Sequence, residues 1–238
     1  VETVQVGRYL GFTMQVASQQ LAGQLAKGLR SLYTFHGDEP LQQQEGADAV
    51  RAAARSLGVA ERHVFTVAGR FDWSEVLAAG GSMNLFSERQ LIELRIPSGK
   101  PGKDGSVVLQ QIAETAAQDD STVTLVFLPR LDKATKSTAW FSALEQNGVT
   151  VATDVIERSA LPNWLAQRLQ AHGQCVAAGD EGQRTLQFFA DRVEGNLLAA
   201  HQEVQKLALL YPPGELSLEQ VEQAVLDVAR YDVFKLSP

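Results

Sequence analysis

Two hydrophobic periods alternate along the first two-thirds of the chain. Short apolar runs at residues 32–36, His63–Val67, Gln90–Ile96, Val123–Leu128 and Val149–Thr153 read as strands. Between them the apolar positions recur every three or four residues, which predicts helices over Glu39–Leu57, Ser106–Ala117 and Thr135–Gln146. A short helix is expected after Asp72, with Glu75 three residues on as a capping box and Gly80-Gly81 at its end. An earlier helix is expected from Ser18 to about Leu29, with Leu21, Leu25 and Leu29 at helical spacing. The run Val123–Leu128 has no polar alternation apart from Thr124, as in a strand buried on both faces of a parallel sheet. Strand and helix alternating at this spacing give an α/β fold with a parallel sheet.

The pattern changes after about residue 154, where no further strand is expected. Leu161, Trp164, Leu165, Arg168 and Leu169 share a helical register that Gly173 stops. A second helix is predicted over Asp180–Val193. A third starts near Asn196, carries Leu197, Ala200, Val204 and Leu207, and ends at Pro212-Pro213. A Ser217…Gln220 capping box opens a fourth, with Val221, Val225 and Val228 behind it. The expected organisation is an α/β domain over 14–153 and a small helical domain over 154–238. Residues 1–13 carry no placeable pattern. Met14 is a natural start, so they read as a tag or extension. The chain stops at "YDVFKLSP", which has no mark of a natural ending, and more protein is expected to follow.

Composition narrows the class. Of the 238 residues 45% are apolar and 21% charged, a globular balance. No apolar run approaches the ~20 residues of a membrane-spanning helix. The single Cys175 can form no internal disulfide and is too little for a zinc site, which suits a reducing cytoplasm. Net charge is −7, about −2 over residues 1–153 and −5 over 154–238, so no basic face announces a nucleic-acid partner.

The chemistry expected of such a beginning is missing. In "LYTFHGDEPLQQQE", residues 32–45, a strand, a loop and a helix follow one another as in a phosphate-binding ATPase. The loop His36-Gly37-Asp38-Glu39-Pro40 has one Gly, no Lys, no Ser or Thr, two acids and a Pro without an N–H. The strand that would end in Mg²⁺-holding acids runs into Leu128-Pro129-Arg130-Leu131, and its first acid is Asp132. The four histidines lie far apart without ligand spacing, and no metal or cofactor is expected. No catalytic residue is identified.

Two sets of residues stand out as binding candidates. Arg95, Lys100 and Lys103 follow the third strand, and Arg130, Lys133 and Lys136 follow the fourth. In a parallel sheet both loops emerge at one edge, so Lys100, Lys103, Arg130 and Lys133 are candidate phosphate or DNA contacts. Ordinary solvated lysines are the simpler explanation, because neither loop has a Gly-rich cradle. The second set is "GGSMNLFSERQ", residues 80–90. On a helix Met83 and Leu85 point ~160° apart and Phe86 takes a third heading, so one core-facing stripe cannot hold all three. The commoner arrangement would have Leu85 and Phe86 cover the domain's own core. An apolar pair with polar flanks can instead project into a partner's pocket and carry much of a binding energy.

"LYTFHGDEPL", "SMNLFSERQLIEL", "LPNWLAQRL" and "VEGNLLAAHQEVQKLALLYP" occur in that order. In this the chain, from about Met14 onward, resembles the delta subunit of the bacterial DNA polymerase III clamp loader. The resemblance implies an AAA+ type clamp-loader ATPase fold without a functional nucleotide site, followed by a small helical lid. It implies that Leu85-Phe86, preceded by Ser82 and Met83, enter an apolar pocket on the ring-shaped sliding clamp, the beta subunit, and open one of its interfaces. ATP is then hydrolysed by partner subunits, not by delta; the other subunits of the loader are gamma/tau and delta prime. These join delta through a third, collar domain that would follow this chain, and primed DNA is met within the full complex. The holoenzyme is a DNA-directed DNA polymerase, a nucleotidyltransferase, and this chain itself is expected to catalyse nothing. The alternatives are a divergent nucleotide-dependent ATPase, which the acidic loop opposes, and a DNA-binding module using the basic loops. Neither accounts for Met83, Leu85 and Phe86.

Overall fold

The computed structural model describes residues 14–81 and 89–225. Contacts divide the chain into two compact units between Val155 and Ile156. The first is built on strands β1 (Met14–Ala17), β2 (Leu32–His36), β3 (Glu61–Thr66), β4 (Gln90–Arg95), β5 (Thr122–Leu128) and β6 (Val149–Ala152). They form one sheet in the order β1-β6-β2-β5-β4-β3, and every pair is parallel. The helices are α1 (Leu21–Leu25), α2 (Pro40–Ser56), α3 (Ser74–Gly81), α4 (Gly102–Ala116), α5 (Lys133–Lys136) and α6 (Ala139–Asn147).

Burial on both faces follows from helices on both faces. Every residue of β2 is buried, as is all of β5 after Thr122. On one face Tyr33, Phe35, Leu125 and Phe127 pack with Ala47, Val50 and Ala54 of α2. On the other, Leu94, Val126 and Leu128 pack with Val108 and Leu109 of α4 and with Trp140, Phe141 and Leu144 of α6. Fully burying each such large side chain contributes ~1.5–3 kcal/mol, so the α/β alternation seen in the sequence is also where the stability resides.

The α/β fold with a parallel sheet is as expected; several boundaries are not. β1 was not expected. Its four residues pair with β6 in register Met14↔Val149 at the sheet edge, and such a short, half-exposed strand has no apolar run to betray it. The helix expected over Ser18–Leu29 is a 3₁₀ turn, Ser18–Gln20, followed by five-residue α1, which gives way to a turn before Gly28. The helix expected over Thr135–Gln146 is two, α5 and α6, separated at Ser137-Thr138.

The second unit contains α7 (Leu161–Ala171), α8 (Asp180–Val193) and α9 (Leu197–Leu210). Residues 218–225 are helical behind the predicted capping box: Ser217 Oγ accepts from Gln220 N at 3.2 Å, and Gln220 Oε1 accepts from Ser217 N at 2.8 Å. The expectation of no further strand is corrected by β7 (Gln174–Val176) and β8 (Gly214–Leu216), which pair in parallel. Three residues are too few to show a period. What holds β7 in place is long-range, the buried Gln174 carboxamide donating to the carbonyls of Leu207 and Tyr211.

Candidate functional site

The loop after β2 is closed by its own chain. Gly37 N donates to Leu128 O at 3.4 Å and Glu39 N to Thr153 O at 3.0 Å. Gly37 has φ 146°, and a Cβ there would lie 2.1 Å from Thr153 O, so only glycine lets the loop lie this close. Pro40 is the first residue of α2, where its missing N–H costs nothing. Glu39 caps the helix, accepting from Leu41 N at 3.2 Å. Burial pushes the Glu39 carboxyl above its usual range in spite of that bond. Gln43 Nε2 donates to Gly37 O and Leu128 O at 3.0 and 3.1 Å. A phosphate cradle needs outward N–H groups at a helix start. Here the N–H groups of Gly37, Glu39 and Leu41 are engaged, and a carboxylate occupies the helix start.

The two basic loops do meet at one edge. A Cβ on Gly99 would lie 3.0 Å from Leu131 and 3.1 Å from Pro129, so the loop after β4 packs on the loop after β5. Lys100, Lys103, Arg130 and Lys133 are all exposed there. Acids are interleaved with them. Asp38 Oδ1 accepts from Arg130 N at 3.1 Å, and Asp132 caps α5 by accepting from Thr135 N at 2.7 Å. Bonds from Thr135 hold the Asp132 carboxyl below its usual range, with a smaller contribution from the charge of Lys100. Among the described residues no three His, Cys, Asp or Glu are grouped to hold a metal ion.

Ser82, Met83, Leu85 and Phe86 lie outside the described residues, but the frame around them does not. Gly80 and Gly81 end α3, and β4 begins at Gln90. Gln90 Nε2 donates to Ala79 O at 2.7 Å and to Thr122 Oγ1 at 3.2 Å, tying the last turn of α3 to β4 and β5. Arg89 Nη2 meets Asp120 Oδ2 at 2.6 Å. Beside this frame is a cavity of about 210 Å³, lined chiefly by Val76, Leu77, Gly80, Ile92, Ile112 and Ala116. Gln90 had been read only as the first residue of a strand. Its partners lie 11 and 32 residues away, so no local signal marks it.

The sheet and its self-closed first loop define a parallel-sheet α/β protein whose loop after β2 is bonded to its own chain. The sequence model of the family described as DNA polymerase III, delta subunit, matches residues 33–154. DNA polymerase III subunit delta of Escherichia coli (strain K12) is 35% identical over 216 residues, covering 91% of this chain and 61% of the relative. The Haemophilus influenzae subunit is 27% identical over 216 residues, covering 89% and 60%. The solved Bacillus subtilis DNA clamp loader delta protein shares the fold, with TM-score 0.66 at 15% identity over 87% of this chain and 61% of that one. The chain belongs to the DNA polymerase III delta subunit family. It spans about three-fifths of the length of the curated relatives it matches.

Proposed function

We propose that this chain is the clamp-engaging part of a clamp-loader delta subunit. Leu85 and Phe86, preceded by Ser82 and Met83, enter an apolar pocket on the ring-shaped sliding clamp and favour its open interface. The observation that carries this reading is the Gln90–Ala79 tie. It fastens Ala79 and Gln90, which flank the Leu85-Phe86 pair in sequence, to each other beside a buried sheet, and a rigid mount lets a small apolar pair deliver binding energy. The mechanism is a population shift: a closed ring has a rare open state, and a ligand preferring that state raises its share by its differential affinity. No bond is made or broken by delta, and ATP turnover belongs to partner subunits of the loader. The loop at Gly37–Pro40, occupied by Glu39, fits that division of labour. The residues after Ile156 serve as the lid. Lys100, Lys103, Arg130 and Lys133, which are exposed, would meet primed DNA only within the assembled loader, since Asp38 and Asp132 dilute their charge.

Binding to the cognate clamp, compared between the wild type and a Leu85→Ala/Phe86→Ala variant with unchanged circular dichroism, tests this. Loss of a true anchor pair costs at least ~2 kcal/mol, roughly thirtyfold in affinity. Equal binding by the two proteins would place clamp contact elsewhere and return the pair to the core.

A further inference from the structure

Away from the loops, three guanidinium groups converge on one buried carboxylate. Glu93, in the middle of β4, has no exposed side-chain surface. Arg51 of α2 meets it with both prongs, Nε to Oε1 at 2.6 Å and Nη2 to Oε2 at 2.8 Å. Arg62 of β3 does the same at 2.6 and 3.0 Å. Arg95, closing β4, brings its Nη2 to 3.5 Å from Oε2, and its guanidinium lies 4.8 Å from the centre of the Phe127 ring. One further acid joins them, Asp48, which accepts from Arg51 Nη1 at 2.7 Å. Three cations therefore face two anions.

The arginines differ in what they leave over. Arg51 has 15% of its side chain exposed and is used up within the cluster. Arg62 and Arg95 are 49% and 46% exposed. Arg62 Nη1 and the Nε and Nη1 of Arg95 have no hydrogen-bond partner among the described residues. Glu93 holds the Arg62 guanidinium by two bonds and lies 3.5 Å from that of Arg95, which rests on the Phe127 ring, so two guanidinium groups share one carboxylate and keep donors to spare. Fixed guanidinium forks match the oxygens of a phosphate group, and little side-chain entropy remains to be lost on binding it.

We propose that Arg62 and Arg95, oriented by Glu93, form a phosphate-binding site on the α2-side face of the β3–β4 edge. The phosphate belongs either to a nucleic-acid backbone or to a free phosphate or pyrophosphate ion. Arg95 leads directly into the loop bearing Lys100, which makes the site an outlying member of the cationic edge.

The test is to titrate the ¹⁵N-labelled chain with inorganic phosphate, with pyrophosphate and with a single-stranded oligonucleotide, each against chloride at equal ionic strength. The arginine Nε–Hε resonances are followed. Saturable shifts confined to Arg62 and Arg95 are expected with at least one phosphate probe. Shifts with the small ions assign a free phosphate; shifts with the oligonucleotide alone assign a backbone. An Arg62→Gln/Arg95→Gln variant, with Arg51 kept so that Glu93 stays paired, should bind that probe at least about tenfold more weakly. Arg62→Lys, which keeps the charge and loses the fork, should fall between. Arg130→Gln/Lys133→Gln should leave the shifts caused by inorganic phosphate and pyrophosphate in place. No shift beyond that of chloride with any probe, or an unchanged affinity in the folded double variant, overturns the proposal.

Discussion

Gln90 and Ala79 are eleven residues apart in sequence and joined by a 2.7 Å bond from the Gln90 carboxamide to the Ala79 carbonyl. The same nitrogen reaches Thr122 Oγ1, so one side chain fastens a helix end to two strands. Replacing Gln90 with Leu keeps its bulk but leaves the Ala79 carbonyl without this donor. Urea unfolding should show a loss of ~1–2 kcal/mol. Clamp binding should weaken beyond what the loss of folded fraction explains, because the end of α3, which precedes Leu85 and Phe86 in sequence, would then be loosened. Unchanged clamp affinity in a destabilised variant would reduce Gln90 to a purely structural residue.

His36 should make the fold acid-sensitive. It is 2% exposed, its ring packs edge-on to Phe141, and its Nε2 has no hydrogen-bond partner. Burial, helped by the charge of Lys136 and opposed by that of Asp154, brings its pKa down to about 4 from about 6.5. The unfolded chain therefore takes up this proton first. Stability is intact above pH 6.5 and declines as pH falls toward 4, by on the order of 3 kcal/mol when complete. A His36→Leu variant should show a flatter stability profile across that window. Equal slopes in the two proteins would mean that His36 gains a partner on protonation.

Glu93 acts in a lower window. Burial raises its pKa, but hydrogen bonds from Arg51 and Arg62 more than reverse this and bring it to about 2. A carboxyl depressed in the fold stabilises above its ordinary value, near 4.5, and that contribution is lost as pH falls to 2. Glu93→Gln removes the charge that two guanidiniums share. It should destabilise by ~3–5 kcal/mol, lessened to the extent that half-exposed Arg62 can turn to water. Glu93→Asp, too short to reach both forks, should lie in between, and denaturant midpoints at pH 7 would order the three.

Much of this fold was legible because a strand buried on both faces is written as an unbroken apolar run. Val123–Leu128 and 32–36 show it, and the helices between them carry their own stops. β1, β7 and β8 were not legible because three or four residues contain less than a full pattern, and their pairing is decided by partners far along the chain. Glu93 was hidden differently. It stood as a polar residue in the apolar strand "QLIELR", while the arginines that justify it lie 31 and 42 residues earlier. For the site, the disabled loop was readable residue by residue, since it is local. That Gln90 would tie Ala79 to Thr122 was not readable, since Thr122 lies 32 residues on.

Glycine substitutions should separate local propensity from packing. Gly23 in α1 has nothing within 4 Å of where a Cβ would stand, so Gly23→Ala should stabilise by up to ~1 kcal/mol. Gly46 in α2 is also helical, but its Cβ would lie 2.5 Å from Phe35 Cε1 and 3.2 Å from Leu21 Cδ2. Gly46→Ala should destabilise by ~1–3 kcal/mol despite the better propensity. Chemical denaturation of the two variants checks the sign, and a stabilised Gly46→Ala protein would show that Phe35 has room to yield.

In a chain carrying Arg62→Gln and Arg95→Gln, which lacks the phosphate site proposed at the β3–β4 edge, magnesium and ATP should leave the melting temperature unchanged, because at the loop after β2 the N–H groups of Gly37, Glu39 and Leu41 are already bonded. Glu39→Ala sharpens the point. It removes the carboxylate from the start of α2 and should cost ~1 kcal/mol of stability through the lost cap. It should still create no nucleotide site, since Gly37 N and Glu39 N keep their bonds to Leu128 and Thr153 and Pro40 offers no N–H. If ATP raised the melting temperature of Glu39→Ala but not of the wild type, the carboxylate alone would be what blocks the loop. If ATP raised both in the Arg62→Gln/Arg95→Gln background, the loop would open in solution, and the division of labour proposed for delta would have to be abandoned.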